Sequence, residues 1–223
     1  MNPDEELRYG PDPDHVADSW VPARPRRPRL VLVHGGFWSP EYDRKHTRPM
    51  AAALRDAGWP VLAPEYRRRP GNPDAATEDL LRVLDSTGPG VLLVGHSAGG
   101  HLALWLAANR AGLLGTVALA PVADLVGAEA EGLDGGAVAT FLGGPASERP
   151  DLDPLPLKDP EAPCVLLHGT RDSHVPIAQS RAYVAAHPAA RLVELPGMGH
   201  FELIDPYSLA WPRVVAELVA LAP

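Results

Sequence analysis

The run Val91-Leu92-Leu93-Val94 passes directly into Gly95-His96-Ser97-Ala98-Gly99, and an almost wholly apolar segment of helical composition, residues 102–108, follows. Four consecutive apolar residues suit a parallel strand buried on both faces. A G-x-S-x-G pentapeptide between such a strand and a helix calls for a sharp turn with the serine at its apex. Gly95 and Gly99 let backbone approach where a Cβ would clash. A helix opening at Ala98 aims free N–H groups and the positive end of its dipole at any negative charge that forms beside Ser97. The plainer reading is a strand-to-helix turn that happens to hold a serine between glycines. The rest of the chain decides between the two by supplying, or failing to supply, a base, an acid and an anion-holding turn.

The flanking sequence predicts a repeating strand–helix order. Leu30-Val31-Leu32-Val33 reads as a strand ending in His34-Gly35-Gly36-Phe37-Trp38. Residues 43–57 carry Met50, Ala53, Leu54 and Ala57 at helical spacing, with Gly58 as the stop. Residues 61–63 form a short strand, and Asn72-Pro73 predicts an N-cap and first-turn proline for a helix through Leu84, with Ala76, Leu80, Leu81 and Leu84 inward. Strands follow at residues 116–120, 163–167 and 191–195, and helices at about 177–186 and 207–220, the last amphipathic through Leu209, Val214, Val215, Leu218 and Val219. Continuously apolar strands alternating with helices predict an α/β fold, a mostly parallel central sheet covered on both faces. Residues 1–28 are rich in Pro, Asp and Arg, with a short antiparallel strand expected within 15–22. Residues 122–162 break the rhythm and read as a lid-like insertion or pocket wall, weakly helical only at 136–142. The expectation is one domain over residues 1–223 with 122–162 inserted.

The net charge of −8 disfavours a nucleic-acid partner, whose phosphates need a basic face. The basic group Arg24, Arg26, Arg27 and Arg29 alternates with prolines and reads as a solvated lead-in to a strand. A single cysteine, Cys164, excludes an internal disulfide and sits in an apolar strand as a small hydrophobe. No signal segment is visible at the N-terminus, and no apolar run reaches the ~18 residues of a membrane span. Cytoplasmic location is the default expectation, with a small-molecule substrate as partner and the oligomeric state open. No nucleotide-binding glycine pattern or metal-ligand spacing occurs, so no cofactor and no metal are expected.

Ligands of an open α/β sheet gather at the C-terminal ends of its strands, and four such ends carry reactive groups. Ser97 needs a base to become a nucleophile. His200 in Gly197-Met198-Gly199-His200-Phe201 follows the last strand and can reach across. Asp172 follows the penultimate strand and can accept a hydrogen bond from the far ring nitrogen of His200; Asp124, past the strand at 116–120, is the rival acid. After the first clear strand, the N–H groups of Gly36 and Phe37 can join that of Ala98 to hold an oxyanion. Phe37, Trp38 and Phe201 are the candidate pocket walls. His96, adjacent to the serine, is expected to point away; His101 lies on the following helix, His34 and His168 suit backbone bracing, and His15, His46 and His187 have no motif around them.

These four motifs, in this order, resemble the α/β-hydrolase superfamily over residues 9–221. Within it, His34-Gly35-Gly36-Phe37-Trp38 is similar to the kynurenine formamidase (arylformamidase) branch near the hormone-sensitive-lipase-like esterases, as are Tyr9-Gly10-Pro11, Pro64-Glu65-Tyr66-Arg67 and His200-Phe201-Glu202-Leu203-Ile204. The resemblance implies an α/β-hydrolase fold, Ser97, Asp172 and His200 as a triad, and hydrolysis of a small carboxylic ester or aryl formamide. The alternatives are a dedicated hydrolase of N-formylkynurenine and a non-catalytic hydrolase-fold protein that binds ligands. Residues 122–162 match nothing in that branch clearly, and the large N-terminal cap of such enzymes is absent from this sequence.

Overall fold

A computed structural model describes residues 2–223. Eight strands form one sheet: β1 (Glu5–Arg8), β2 (Val16–Trp20), β3 (Leu30–Val33), β4 (Val61–Pro64), β5 (Leu92–His96), β6 (Gly115–Leu119), β7 (Cys164–Gly169) and β8 (Arg191–Leu195). Their order across the sheet is β1-β2-β4-β3-β5-β6-β7-β8. The first two pairings, β1 with β2 and β2 with β4, are antiparallel and the rest are parallel.

Side-chain alternation along the strands divides the core in two. Val31, Val33 and Leu93 face α2 (Asp74–Thr87) and α3 (Ala98–Asn109), packing with Leu80, Val83, Leu102 and Leu106. Leu30, Leu32, Leu92 and Val94 face α1 (Arg48–Asp56) and α7 (Trp211–Leu221), packing with Met50, Leu54, Val214 and Leu218. Strands buried on both faces read as unbroken apolar runs, which is why they are visible in the sequence. α3 is covered almost all round, as its composition requires.

Several elements depart from expectation. β1 is exposed along Glu-Glu-Leu-Arg and joins the edge through backbone pairing to β2 and an ion pair from Glu6 to Arg44, so no apolar pattern announces it. Residues 44–47 form a 3-10 turn before α1, whose own first turn takes Pro49. The N-cap of α2 is Pro73 rather than Asn72, and Leu81 is only partly buried. α7 begins at Trp211 rather than residue 207, because Pro212 is tolerated only in a first helical turn. Leu209 therefore lies outside the helix and is 87% exposed instead of inward. The 122–162 segment is better ordered than its composition suggests. It holds α4 (Leu125–Ala130) and α5 (Ala137–Leu142), and α4 is capped by Asp124, whose side chain accepts the Gly127 N–H at 2.7 Å. Leu125, Leu133, Phe141 and Leu152 anchor the segment in the core. α6 (Ala178–Ala186) sits against β8. Arg24, Arg26 and Arg29 are exposed, and Arg27 stacks over Trp59 at 4.9 Å. Cys164 is buried, and burial pushes its thiol up to about 12. No helix among the described residues is long and apolar enough to cross a membrane.

The topology fixes where a site can form. β4 lies on one side of β3 and β5 on the other, so the chain winds in opposite directions from β3 and opens a crevice at the strand ends. Val33 of β3 pairs with Gly95 of β5, setting the two following turns side by side.

Candidate active site

Ser97 leaves β5 in a left-handed conformation, φ 57° and ψ −121°, and α3 starts at the next residue. A non-glycine residue there is strained, and such outliers cluster at functional turns. The turn closes only because of its glycines. A Cβ on Gly99 would lie 2.3 Å from the Val33 carbonyl oxygen and 2.4 Å from that of His34. A Cβ on Gly35 would lie 2.8 Å from the His96 carbonyl oxygen and 2.9 Å from Ser97 Cβ. The turn after β3 is thereby pressed against the serine. Phe37 and Trp38 in it both have positive φ, 52° and 54°. Ala98 is the first residue of α3, and its N–H has no acceptor within the helix.

That turn is braced from behind. The Tyr66 hydroxyl donates to the His34 carbonyl at 2.9 Å, and the Tyr9 hydroxyl to the Glu65 carbonyl at 2.6 Å. Glu65 Oε1 lies 2.7 Å from His34 Nε2, and its carboxylate also pairs with Arg68 and accepts the Arg44 N–H. Trp38 is buried, stacks on Phe141 at 4.6 Å, and donates its indole N–H to His101 Nδ1 at 3.2 Å. His101 Nε2–H donates onward to the Leu152 carbonyl at 2.9 Å. One fully buried imidazole thus ties α3, the turn after β3 and the inserted segment together.

His101 is neutral in this arrangement, and burial pushes it down to about 4 from the ordinary 6.5. Between those values the unfolded chain binds a proton that the folded chain refuses. Stability from this group is intact above about pH 6.5 and is lost as pH falls toward about 4, by about 1.4 kcal/mol per unit. The Tm should fall on acidification from about pH 7 to 5, and His101→Gln should show a shallower slope. An equal slope in the two proteins contradicts the assignment.

The candidate base and acid lie across the crevice. His200 follows β8 and Asp172 follows β7, and their loops are stitched together by Arg171 N to Met198 O at 2.9 Å and Gly197 N to Thr170 Oγ1 at 2.9 Å. His200 Nδ1–H donates to Asp172 Oδ2 at 2.6 Å. The other carboxylate oxygen, Oδ1, accepts the His174 and Val175 N–H groups, each at 2.8 Å. Burial would raise the Asp172 carboxyl, but His168, His200 and the Val175 N–H outweigh it and hold the carboxyl far below the ordinary range. Asp124 is spent on capping α4 and on binding, through its N–H, Gln179 Oε1.

Ser97 and His200 line one cleft of about 420 Å³, without a direct hydrogen bond between them among the described residues. Phe37 and Phe201 line it as well, whereas Trp38 faces a neighbouring cavity. Three histidines that the sequence did not single out also line it: His46, His96 and His174. His96 does not point away. Its ring lies 4.4 Å from that of His200, and its Nε2–H donates to the His200 carbonyl at 3.1 Å. Burial, then the neighbouring His200, lowers the His96 pKa well below its ordinary value. His174 stacks on His200 at 5.1 Å. Only tertiary contacts bring these three rings together; the one local hint for His96 is its seat between Gly95 and Ser97. No group of three His, Cys, Asp or Glu side chains among the described residues could hold a metal ion.

The sequence profile of the alpha/beta hydrolase family matches residues 30–153. The chain belongs to that family. Esterase LipQ of Mycobacterium tuberculosis is 29% identical over 257 aligned positions, covering 96% of this chain and 60% of that protein. An acetyl-hydrolase of Streptomyces hygroscopicus is 42% identical over 99 residues, covering 40% of this chain and 33% of that one. The chain therefore spans 60% of the length of the first of these relatives and 33% of the second. Among solved structures, esterase B of Lactobacillus rhamnosis superposes with a TM-score of 0.81 at 23% identity, over 99% of this chain and 87% of that one. An acetyl ester-xyloside bifunctional hydrolase of Caldicellulosiruptor lactoaceticus superposes at 0.78 with 17% identity, over 99% and 97%. These two likenesses establish the fold of this family member.

Proposed function

We propose that this alpha/beta hydrolase is a serine hydrolase that cleaves a small carboxylic ester or aryl formamide through an acyl-enzyme on Ser97. One observation carries the reading: the His200–Asp172 hydrogen bond stands in the cleft that holds Ser97 on its left-handed turn. With its Nδ1 proton engaged by Asp172, neutral His200 has its lone pair on Nε2. Ser97 Oγ attacks the substrate carbonyl as His200 Nε2 takes its proton. The oxygen of the tetrahedral intermediate is held by the N–H groups of Gly36, Phe37 and Ala98. The C–O or C–N bond then breaks, and the leaving alcohol or amine carries away the proton from Nε2. Water attacks the acyl-enzyme with its proton passing to His200, and Ser97 is released. Phe37 and Phe201 would wall the arms of the substrate. The names of the two relatives, an esterase and an acetyl-hydrolase, support ester cleavage.

The second reading is a dedicated kynurenine formamidase. It is favoured by the convergence of the residues that carry that resemblance: Tyr9, Glu65 and Tyr66 all brace His34 and the turn that it opens. A comparison of kcat/KM for p-nitrophenyl acetate, p-nitrophenyl butyrate and N-formylkynurenine separates the two. Short esters are expected to be turned over at least as well as the formamide. A preference for N-formylkynurenine of about 100-fold or more assigns the dedicated activity instead, and no turnover of any of the three assigns a ligand-binding protein.

A further inference from the structure

Asp134 stands on the wall between two cavities. It lines the cleft with Ser97 and His200, and also a neighbouring cavity of about 340 Å³. Phe37 is the other residue common to both. Among the described residues no lysine or arginine lines either cavity, and Asp134 is the only carboxylate on the cleft itself. Five other acids of residues 122–162 have structural partners, Asp159 through His187 among them, whereas Glu131, Glu148 and Glu161 have none among the described residues but line neither cavity. Asp124 caps α4, Glu129 accepts the Ala146 N–H, Asp151 pairs with Arg149, and Asp153 accepts the Leu125 N–H. The Asp134 carboxylate takes part in no hydrogen bond or ion pair among the described residues, and the residue is exposed.

Its backbone adds an independent observation. Asp134 has φ 45° and ψ 48°. It is one of five non-glycine residues with positive φ among those described, and three of the others are Phe37, Trp38 and Ser97. Gly132, Gly135 and Gly136 surround it, all with positive φ. Glycine is the least costly residue in such a conformation, and aspartate is tolerated there better than most. Here a residue with positive φ in a glycine-rich turn places a carboxylate-bearing side chain on the wall of the cleft, and such backbone outliers cluster at functional sites.

From this we infer that Asp134 sets the charge preference of the cleft, favouring esters with a cationic, ammonium-bearing arm and disfavouring those with a carboxylate arm. The inference rests on the reading of the cleft as an ester-hydrolysing site and names its substrate class. A fixed charge on a partly exposed wall, at intermediate effective dielectric, corresponds to about a tenfold change in kcat/KM between ammonium and carboxylate arms of equal length.

Two matched series test both arms of the substrate. The acyl series is p-nitrophenyl 6-aminohexanoate, p-nitrophenyl hexanoate and mono-p-nitrophenyl adipate. The leaving-group series is acetylthiocholine, 3,3-dimethylbutyl thioacetate and 3-(acetylthio)propanoate. In at least one series the wild type should prefer the cation over the anion by about tenfold or more at low salt. Asp134→Asn, which keeps the shape and suits the left-handed backbone, should cut that ratio at least about fivefold, and high salt should shrink it in the wild type only. The ratio is taken within each enzyme, so a change common to all substrates cancels. A ratio that Asp134→Asn leaves unaltered in both series, or a preference for the carboxylate arms, overturns the inference while ester hydrolysis stands. No turnover of the neutral esters, with no fluorophosphonate labelling of Ser97, overturns the hydrolase reading and this inference with it.

Discussion

Asp172→Asn should lower kcat by about 10⁴ while leaving the fold intact. The size follows from how the carboxylate is held. Oδ1 accepts two backbone N–H groups, those of His174 and Val175, and Oδ2 accepts His200 Nδ1–H. In an asparagine the side-chain oxygen must stay with the two backbone donors, because an amide NH₂ there would leave both unpaired. The NH₂ is then aimed at His200 Nδ1 and donates to it. The imidazole is driven to the tautomer with its proton on Nε2, and it can no longer accept a proton from Ser97. Asp124→Asn provides the contrast. Asp124 caps α4 through Oδ1, an interaction an asparagine reproduces, so turnover should remain within about threefold of wild type. Steady-state kinetics with p-nitrophenyl butyrate check both. Equal, small effects at the two positions contradict the role given to Asp172.

The second large effect is expected at Ser97. Ser97→Ala should lower turnover by about 10⁶, the size of effect seen when the nucleophile of a triad is deleted. Stability should change little. Ser97 is 2% exposed, and its backbone carries the packing through Ser97 N to Leu119 O and His101 N to Ser97 O. An alanine retains those bonds and inherits the left-handed φ of 57°. A Tm close to that of wild type, together with lost turnover, separates loss of the nucleophile from loss of the fold. Residual activity above about one per cent would place the attacking group elsewhere.

Much of this arrangement is legible in the sequence, for a physical reason. Strands buried on both faces must be continuously apolar, so β3, β5, β6 and β7 stand out as runs of Leu, Val and Ala. A serine at the apex of a strand–helix turn needs small neighbours, and Gly95 and Gly99 announce it. Ser97, Asp172 and His200 each follow a strand end, where chain order alone locates them. What escaped reading depends on tertiary partners. β1 is held by backbone pairing to β2 and has no apolar signature. His46, His96 and His174 enter the cleft from the 3-10 turn before α1, the end of β5 and the loop after β7. The Trp38 indole is drawn into the core by Phe141 and His101, residues distant in sequence, rather than lining the cleft. Asp134 lies in a glycine-rich stretch whose composition suggests only a loop; its position on the wall emerges once Leu133 and Phe141 are seated in the core.

Activation of Ser97 as a nucleophile by His200 and Asp172 is tested most directly by trapping the active site. The protein is incubated with the organophosphate paraoxon, digested, and mapped by mass spectrometry while residual esterase activity is followed. The prediction is one diethylphosphoryl group per chain, on the peptide that contains Ser97, with activity falling in step and with Ser97→Ala and His200→Ala left unlabelled. Full activity without modification of Ser97, or labelling at another residue in step with the loss of activity, would contradict it.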